Sequence, residues 1–279
     1  MKRILSILLV SLLIIGGLVG CSNNKAQSDT GKRIILATTT STRDSGLLDY
    51  ILPNFEEETG IKVDVIAVGT GKALEMGRKG EADALLVHAK PSEEEFVKEG
   101  HGLYRKDVMY NDFVLVGPKE DKGNLKEKSP RDIVKGLRLI AEGNYKFVSR
   151  GDDSGTHKKE KALWEEAKVK PEGEWYLSSG SGMAQTLKIA SEKQAYTITD
   201  RATYLNLKDK LDLEIIIEKD DRLFNQYGVI PVNPDKNENI NNKGAEKFIE
   251  WLLSEETQKQ IGEYGKDKFG MPLFVPNAK

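Results

Sequence analysis

The chain has a single cysteine, Cys21, so no disulfide can form within it and no pair of thiolates can hold a metal. Its three histidines, His88, His101 and His157, lack the Cys or second-His spacing of a metal site. It also lacks a basic excess: 42 Lys and Arg stand against 44 Asp and Glu, which argues against nucleic acid as a partner, since phosphate contacts need concentrated cations. Nucleotide motifs are missing. Before Gly71-Lys72, Ile66 stands where a P-loop opens on glycine and Ala73 where it needs Ser or Thr, and Gly69-Thr70-Gly71 lacks the third glycine of a dinucleotide fingerprint. In the run SRGDDSGTH (149–157), Ser154 comes one position late for a nucleophile elbow. An exported serine hydrolase built on Ser154 and His157 is therefore a rival without positive support, and no catalytic residue is expected.

What is present begins with MKRILSILLVSLLIIGGLVGCSNN: two basic residues, an apolar run too short for a comfortable membrane span, then small residues. Residues 1–20 are expected to be a secretory signal peptide. Leu18-Val19-Gly20-Cys21 has the form of a bacterial lipobox, so Cys21 is expected to be lipidated and to anchor the exported protein on the extracytoplasmic face of the cell membrane. Residues 21–32, small and polar, read as a tether. Cleavage removes Lys2 and Arg3 and no acid, so the mature chain is more acidic than the formal −2 of the whole. Selectivity for an anion would then have to come from a local site. The remaining length suits one large domain or two lobes of about 100–150 residues each.

From residue 33, short β-rich runs alternate with amphipathic helical ones. The expected strands are 33–37, 62–67, 82–87, 112–117, 146–149, 195–199, 213–218 and 227–232. This alternation predicts an α/β architecture with largely parallel sheets flanked by helices. Pro118 to Pro130, rich in charge and glycine, reads as an exposed crossing segment, with 219–226 as its return. Two lobes follow, 33–117 with 225–279 and, inserted between them, 118–224.

Five strand-to-helix junctions are built from Gly, Ser and Thr: ATTTSTRDSG (37–46), VGTGK (68–72), SRGDDSGTH (149–157), SSGSGM (178–183) and TDRAT (199–203). Any one of them is also what ordinary caps and tight turns use. Five in one chain, with consecutive hydroxyls at Thr38-Thr39-Thr40-Ser41, exceed what capping requires. Helix N-termini carry unpaired amides and partial positive charge, and in open α/β sheets these junctions collect at the carboxyl ends of the strands, where ligands bind. Arg150 could grip two oxygens of an anion, or could be a structural partner of Asp152 or Asp153. Lys158, Lys159 and Lys161 read as a solvated helix face, and Leu163, Trp164 and Ala167 as its core stripe.

Taken together, 37–49, 67–88, 108–118, 149–164, 195–205 and 223–234 resemble the substrate-binding lipoproteins of tungstate ABC importers, a family within the two-lobed periplasmic binding proteins. The resemblance covers residues 33–275. It implies a type II two-lobed fold, each lobe a mixed, mostly parallel sheet flanked by helices, joined by a two-segment hinge and closing on an oxyanion. It further implies tungstate or molybdate as ligand, no cofactor or metal, a monomer, and an ABC permease with its ATPase as partners. Carried over residue by residue, the site comprises Thr39, Thr40 and Ser41, then Thr70, then Arg150, Ser154 and Thr156. Ala202 stands where a glycine is common in that family. Alternatives of other specificity or class are a molybdate- or phosphate-binding protein of the same fold and an interaction lipoprotein.

Overall fold

The computed structural model describes residues 32–278. The expected signal peptide, Cys21 and all but the last residue of the tether lie outside the described residues.

Ten strands form in the described chain: β1 (Arg33–Thr39), β2 (Lys62–Val68), β3 (Ala84–Val87), β4 (Lys106–Gly117), β5 (Phe147–Ser149), β6 (Tyr176–Ser178), β7 (Thr197–Asp200), β8 (Glu214–Ile217), β9 (Phe224–Pro231) and β10 (Val275–Pro276). Strands β1, β2 and β3 are parallel, with Thr39 opposite Val68 and Thr38 opposite Leu86. Their carboxyl ends are therefore level, and the loops that follow all leave from one edge. Strands β5 and β6 are parallel in the same way, and a parallel bridge from Phe147 to Tyr196 adds the approach to β7. The sheets are mixed, with a larger antiparallel share than strand–helix alternation predicts. The excess comes from β4 and β9, which pair antiparallel with each other and with β3, β7, β8 and β10.

Alternation along each strand feeds a core on both faces of the sheet. In β3, Ala84 and Leu86 join one cluster with Ile34, Phe55 and Phe248, while Leu85 and Val87 join another with Phe96 and Ile230. A separate pair of clusters is built from Phe113, Leu115, Phe147 and Trp164 on one face and Val114, Val116, Met183 and Tyr204 on the other. Leu163, Trp164 and Ala167 are indeed core residues there. Strand β4 belongs to both halves: Val108 and Met109 pack in the first, Phe113 and Leu115 in the second. The return is just as short, from Leu223 in the second half to Tyr227 in the first.

The first crossing thus lies within β4, ahead of the charged segment Pro118 to Pro130 that was expected to make it. That segment belongs wholly to the second half, where Leu125 is fully buried in the core. Its composition marks a solvated loop, and a loop on the surface need not be a hinge. Helices at Thr40–Asp44, Thr70–Lys79 and Arg201–Leu207 also arise where the sequence reads as junction. The long C-terminal helix breaks at Ser254, which ends Asn242–Leu253 and caps Glu255–Glu263 by accepting a hydrogen bond from the Thr257 amide.

Candidate functional site

The first loop leaves β1 at Thr39, which caps the short helix Thr40–Asp44. Thr39 Oγ1 accepts the Thr42 amide at 3.1 Å and lies 2.7 Å from Thr42 Oγ1 and 3.0 Å from His88 Nε2. Its hydroxyl is therefore occupied within the protein. Thr40 Oγ1 accepts weakly from the Met183 amide at 3.4 Å. Ser41 is buried, and its Oγ has no hydrogen-bond partner among the described residues.

The second and third loops meet across the two halves. Thr70 Oγ1, fully buried at the start of its helix, accepts the Gly155 amide at 3.0 Å. Gly69 eases this approach, because a Cβ there would make a tight contact of 3.2 Å with the Asp152 carbonyl oxygen. After β5 the chain turns through left-handed conformations at Gly151 and Asp153 and enters the helix Gly155–Glu166. Ser154 caps that helix, its Oγ accepting the His157 amide at 3.2 Å. Arg150 is 1% exposed. One of its terminal nitrogens pairs with Asp152, and Asp152 also accepts the Ser154 amide at 3.2 Å. The other two guanidinium nitrogens, Nε and Nη1, and Thr156 Oγ1 are buried without a partner among the described residues.

The two readings of Arg150 prove compatible: Asp152 orients the guanidinium and leaves two donors over. Asp153 instead faces Lys158 and Lys161, at 3.7 and 3.6 Å. Of the three lysines read as a solvated face, Lys161 is one, whereas Lys158 reaches Ser92 Oγ and Lys159 the Arg222 carbonyl, each at 3.0 Å. The last two loops act as braces. Ser179 Oγ donates to the Arg150 carbonyl at 3.2 Å, and Thr203 Oγ1 sits between Asp200 Oδ2, at 2.7 Å, and the Ser41 carbonyl, at 3.1 Å. Ala202 packs into the first core.

A hydrolytic relay is not assembled. The His157 ring accepts the Asp153 amide through Nδ1 at 3.0 Å, and Ser154 meets the His157 backbone rather than its ring. Burial, and then the Lys161 charge, lower the pKa of His157. Beneath the arginine loop, Glu160 accepts from Tyr176 Oη at 2.6 Å and Trp164 Nε1 at 3.2 Å, and burial lifts its carboxyl to about 7. Sequence reasoning offered Asp152 as one of two partners for the arginine, from its spacing, and the structure selects it over Asp153. His88 and Thr203 were missed, and neither carries a signal in the sequence.

The site is rich in donors and poor in free acceptors. It combines one buried guanidinium, buried hydroxyls and the amide ends of the Thr70–Lys79 and Gly155–Glu166 helices, all at the carboxyl edges of two sheets. A molecule of two α/β halves joined by two strands, with such a donor set where the halves meet, has the build of a solute-binding protein that holds an anion. A family model described as the PBP superfamily domain matches residues 24–256. A tungstate-binding protein TupA of Peptoclostridium acidaminophilum is 60% identical over 100% of this chain and 99% of its own. The crystal structure of a tungstate ABC transporter protein from Geobacter sulfurreducens is 46% identical, with TM-score 0.77 over 84% of this chain and 99% of that one. The TupA tungstate-binding protein of Desulfovibrio alaskensis G20 is 44% identical, with TM-score 0.72 over 88% and 99%. The chain belongs to this family of tungstate-binding proteins within the PBP superfamily.

Proposed function

We propose that the chain is the extracytoplasmic solute-binding component of an ABC importer, capturing tungstate between its halves and presenting it to a membrane permease with its ATPase. It is a binding protein and not an enzyme. The observation that carries the reading is the set Ser41 Oγ, Arg150 Nε, Arg150 Nη1 and Thr156 Oγ1, all buried without a partner among the described residues. A buried unsatisfied polar group costs about 1–3 kcal/mol, and more when charged, so folding alone would not select four together. An oxyanion that only accepts hydrogen bonds satisfies all four.

Ser41, Arg150 and Thr156 supply the open side-chain donors in this reading. Thr40, Thr70 and Ser154 shape the wall and offer amides, and Thr39 sets the loop. Hydrogen phosphate carries a proton that needs an acceptor. The neighbouring carboxylates are engaged: Asp152 by Arg150 and the Ser154 amide, Asp153 by two lysines, and Asp44 by the Ala184 amide. Tungstate, fully deprotonated, fits the donor set better. Closure follows from contacts between halves, Thr70 with Gly155, Thr40 with Met183 and Ser92 with Lys158, which a bound anion reinforces by bridging them. Removal of residues 1–20 and lipidation of Cys21 would hold the protein at the membrane as a monomer.

Calorimetric titration with tungstate, molybdate, sulfate and phosphate tests the proposal. Tight one-to-one tungstate binding with weak or absent phosphate binding is expected; no heat with any of the four, and no shift in melting temperature, would overturn it.

A further inference from the structure

We infer that His88 is a positioning residue that holds the first oxyanion loop in shape and ties it to the two strands on which the halves turn; the inference rests on the oxyanion reading above. His88 directly follows β3, which lies between β1 and β9 in the sheet. Its ring can therefore reach the end of one neighbour and the start of the other. Nε2 lies 3.0 Å from Thr39 Oγ1, at the end of β1, and Nδ1 lies 3.0 Å from Asn225 Oδ1, on β9. Asn225 in turn donates through Nδ2 to Asn111 Oδ1 at 2.7 Å, and Asn111 is its register partner on β4. Those two asparagines sit where both strands pass from one core to the other.

The hydrogen-bond directions around the ring are mutually consistent, and the one donor left over is Asn111 Nδ2, which is buried without a partner among the described residues. The ring is buried, which lowers its pKa to about 4, so it is neutral in ordinary buffers and has one donor and one acceptor. Because Asn225 commits its amide nitrogen to Asn111, its oxygen accepts from His88, which puts the ring proton on Nδ1. Nε2 then accepts the Thr39 hydroxyl proton. The Thr39 oxygen accepts the Thr42 amide and the Thr42 hydroxyl. One donor and two acceptor positions are all a hydroxyl has, so Thr39 is saturated. Its work is to fix the turn that presents Ser41, and His88 fixes Thr39.

The second half touches the same ring. A Cβ on Gly155 would lie 2.9 Å from His88 Cε1 and 3.0 Å from Nδ1, so the arginine loop's helix closes against the imidazole with no space for a methyl group. Tyr227 packs on the ring at 4.9 Å between centroids. The anion loop, the crossing strands and the closing helix therefore meet at one side chain. Nothing in this arrangement requires His88 to touch the anion.

Two measurements test the inference. In protein labelled with 15N-histidine, His88 should show a protonated Nδ1 and an unprotonated, hydrogen-bonded Nε2; the opposite tautomer would overturn it, whatever the fate of any variant. Tungstate titrations of His88→Asn and His88→Gln supply the second. Asn can replace the Nδ1 contact but not the acceptor facing Thr39, whereas the longer Gln can place an oxygen where Nε2 stood. His88→Asn should bind about tenfold more weakly or worse, as expected for loss of a buried hydrogen bond, and His88→Gln should recover most of the affinity. Equal binding by both variants and the unaltered protein would overturn the role of His88 alone. Failure of the unaltered protein to bind tungstate would overturn the oxyanion reading and the inference with it.

Discussion

Replacing Arg150 with alanine removes both guanidinium nitrogens that lack a protein partner while leaving the loop's backbone hydrogen bonds in place. If each donates to an anion oxygen, two hydrogen bonds to a charged group are lost, at about 1.5–3 kcal/mol apiece. Their sum, about 3–6 kcal/mol, corresponds to a loss of affinity of roughly 10²- to 10⁴-fold. Asp152 keeps the Ser154 amide and is partly exposed, so the carboxylate left behind can hydrate. The unligated variant should consequently melt near the unaltered protein, or above it, since a buried guanidinium with a single partner costs stability. Adding tungstate should raise the melting temperature of the unaltered protein strongly and that of the variant little. Arg150→Lys should fall between the two, because an ammonium keeps the charge but lacks the planar fork. Calorimetry at matched ionic strength gives the affinities. Binding by Arg150→Ala within a few-fold of the unaltered protein would refute the reasoning, because it would mean that the open nitrogens face no ligand.

Ser41→Ala and Thr156→Val each delete one open hydroxyl and should weaken tungstate binding by about 1–2 kcal/mol without lowering stability in its absence; a drop in unligated melting temperature with unchanged affinity would show that the hydroxyls serve folding instead. Glu160 gives a pH signature. Its folded pKa, about 7, lies above the ordinary value of 4.5, so between those limits the folded state holds a proton the unfolded state has released. Its contribution is most favourable below 4.5 and is lost as pH rises to 7, at up to about 1.4 kcal/mol per pH unit. Glu160→Gln should flatten that decline in urea titrations across the window, and an unchanged slope would contradict the account. Cys21→Ser should shift the protein from the membrane fraction to the soluble fraction; continued anchoring would rule out lipidation at that residue.

Much of the site was legible because its chemistry is local. The Gly, Ser and Thr junctions mark where strands end, and parallel strands whose ends are level bring such junctions together whatever their separation in sequence. Arg150 stood out as the only arginine in the third loop. The bracing residues were not legible, since Thr203 acts across 162 positions on the Ser41 carbonyl and His88 across 137 on Asn225. A lone histidine after an apolar strand has no pattern to distinguish it. The crossing was misjudged for a related reason: DFVLVG reads as one buried strand, and nothing in its composition tells that the residues before it serve one core and those within it another. The helix Thr70–Lys79 was hidden by the two glycines at its start, which serve the close approach of Asp152 and Asp153 rather than a loop.

The central claim is that one oxyanion is held by Ser41, Arg150 and Thr156. Crystals grown with tungstate and measured at the tungsten absorption edge test it directly, because the anomalous signal locates the metal atom without reference to the protein. The account predicts one strong peak per molecule, with oxygens within hydrogen-bonding distance of Arg150 Nε and Nη1, Ser41 Oγ and Thr156 Oγ1. A peak elsewhere on the molecule, or a fully bound protein with Arg150 still paired only to Asp152, would contradict it.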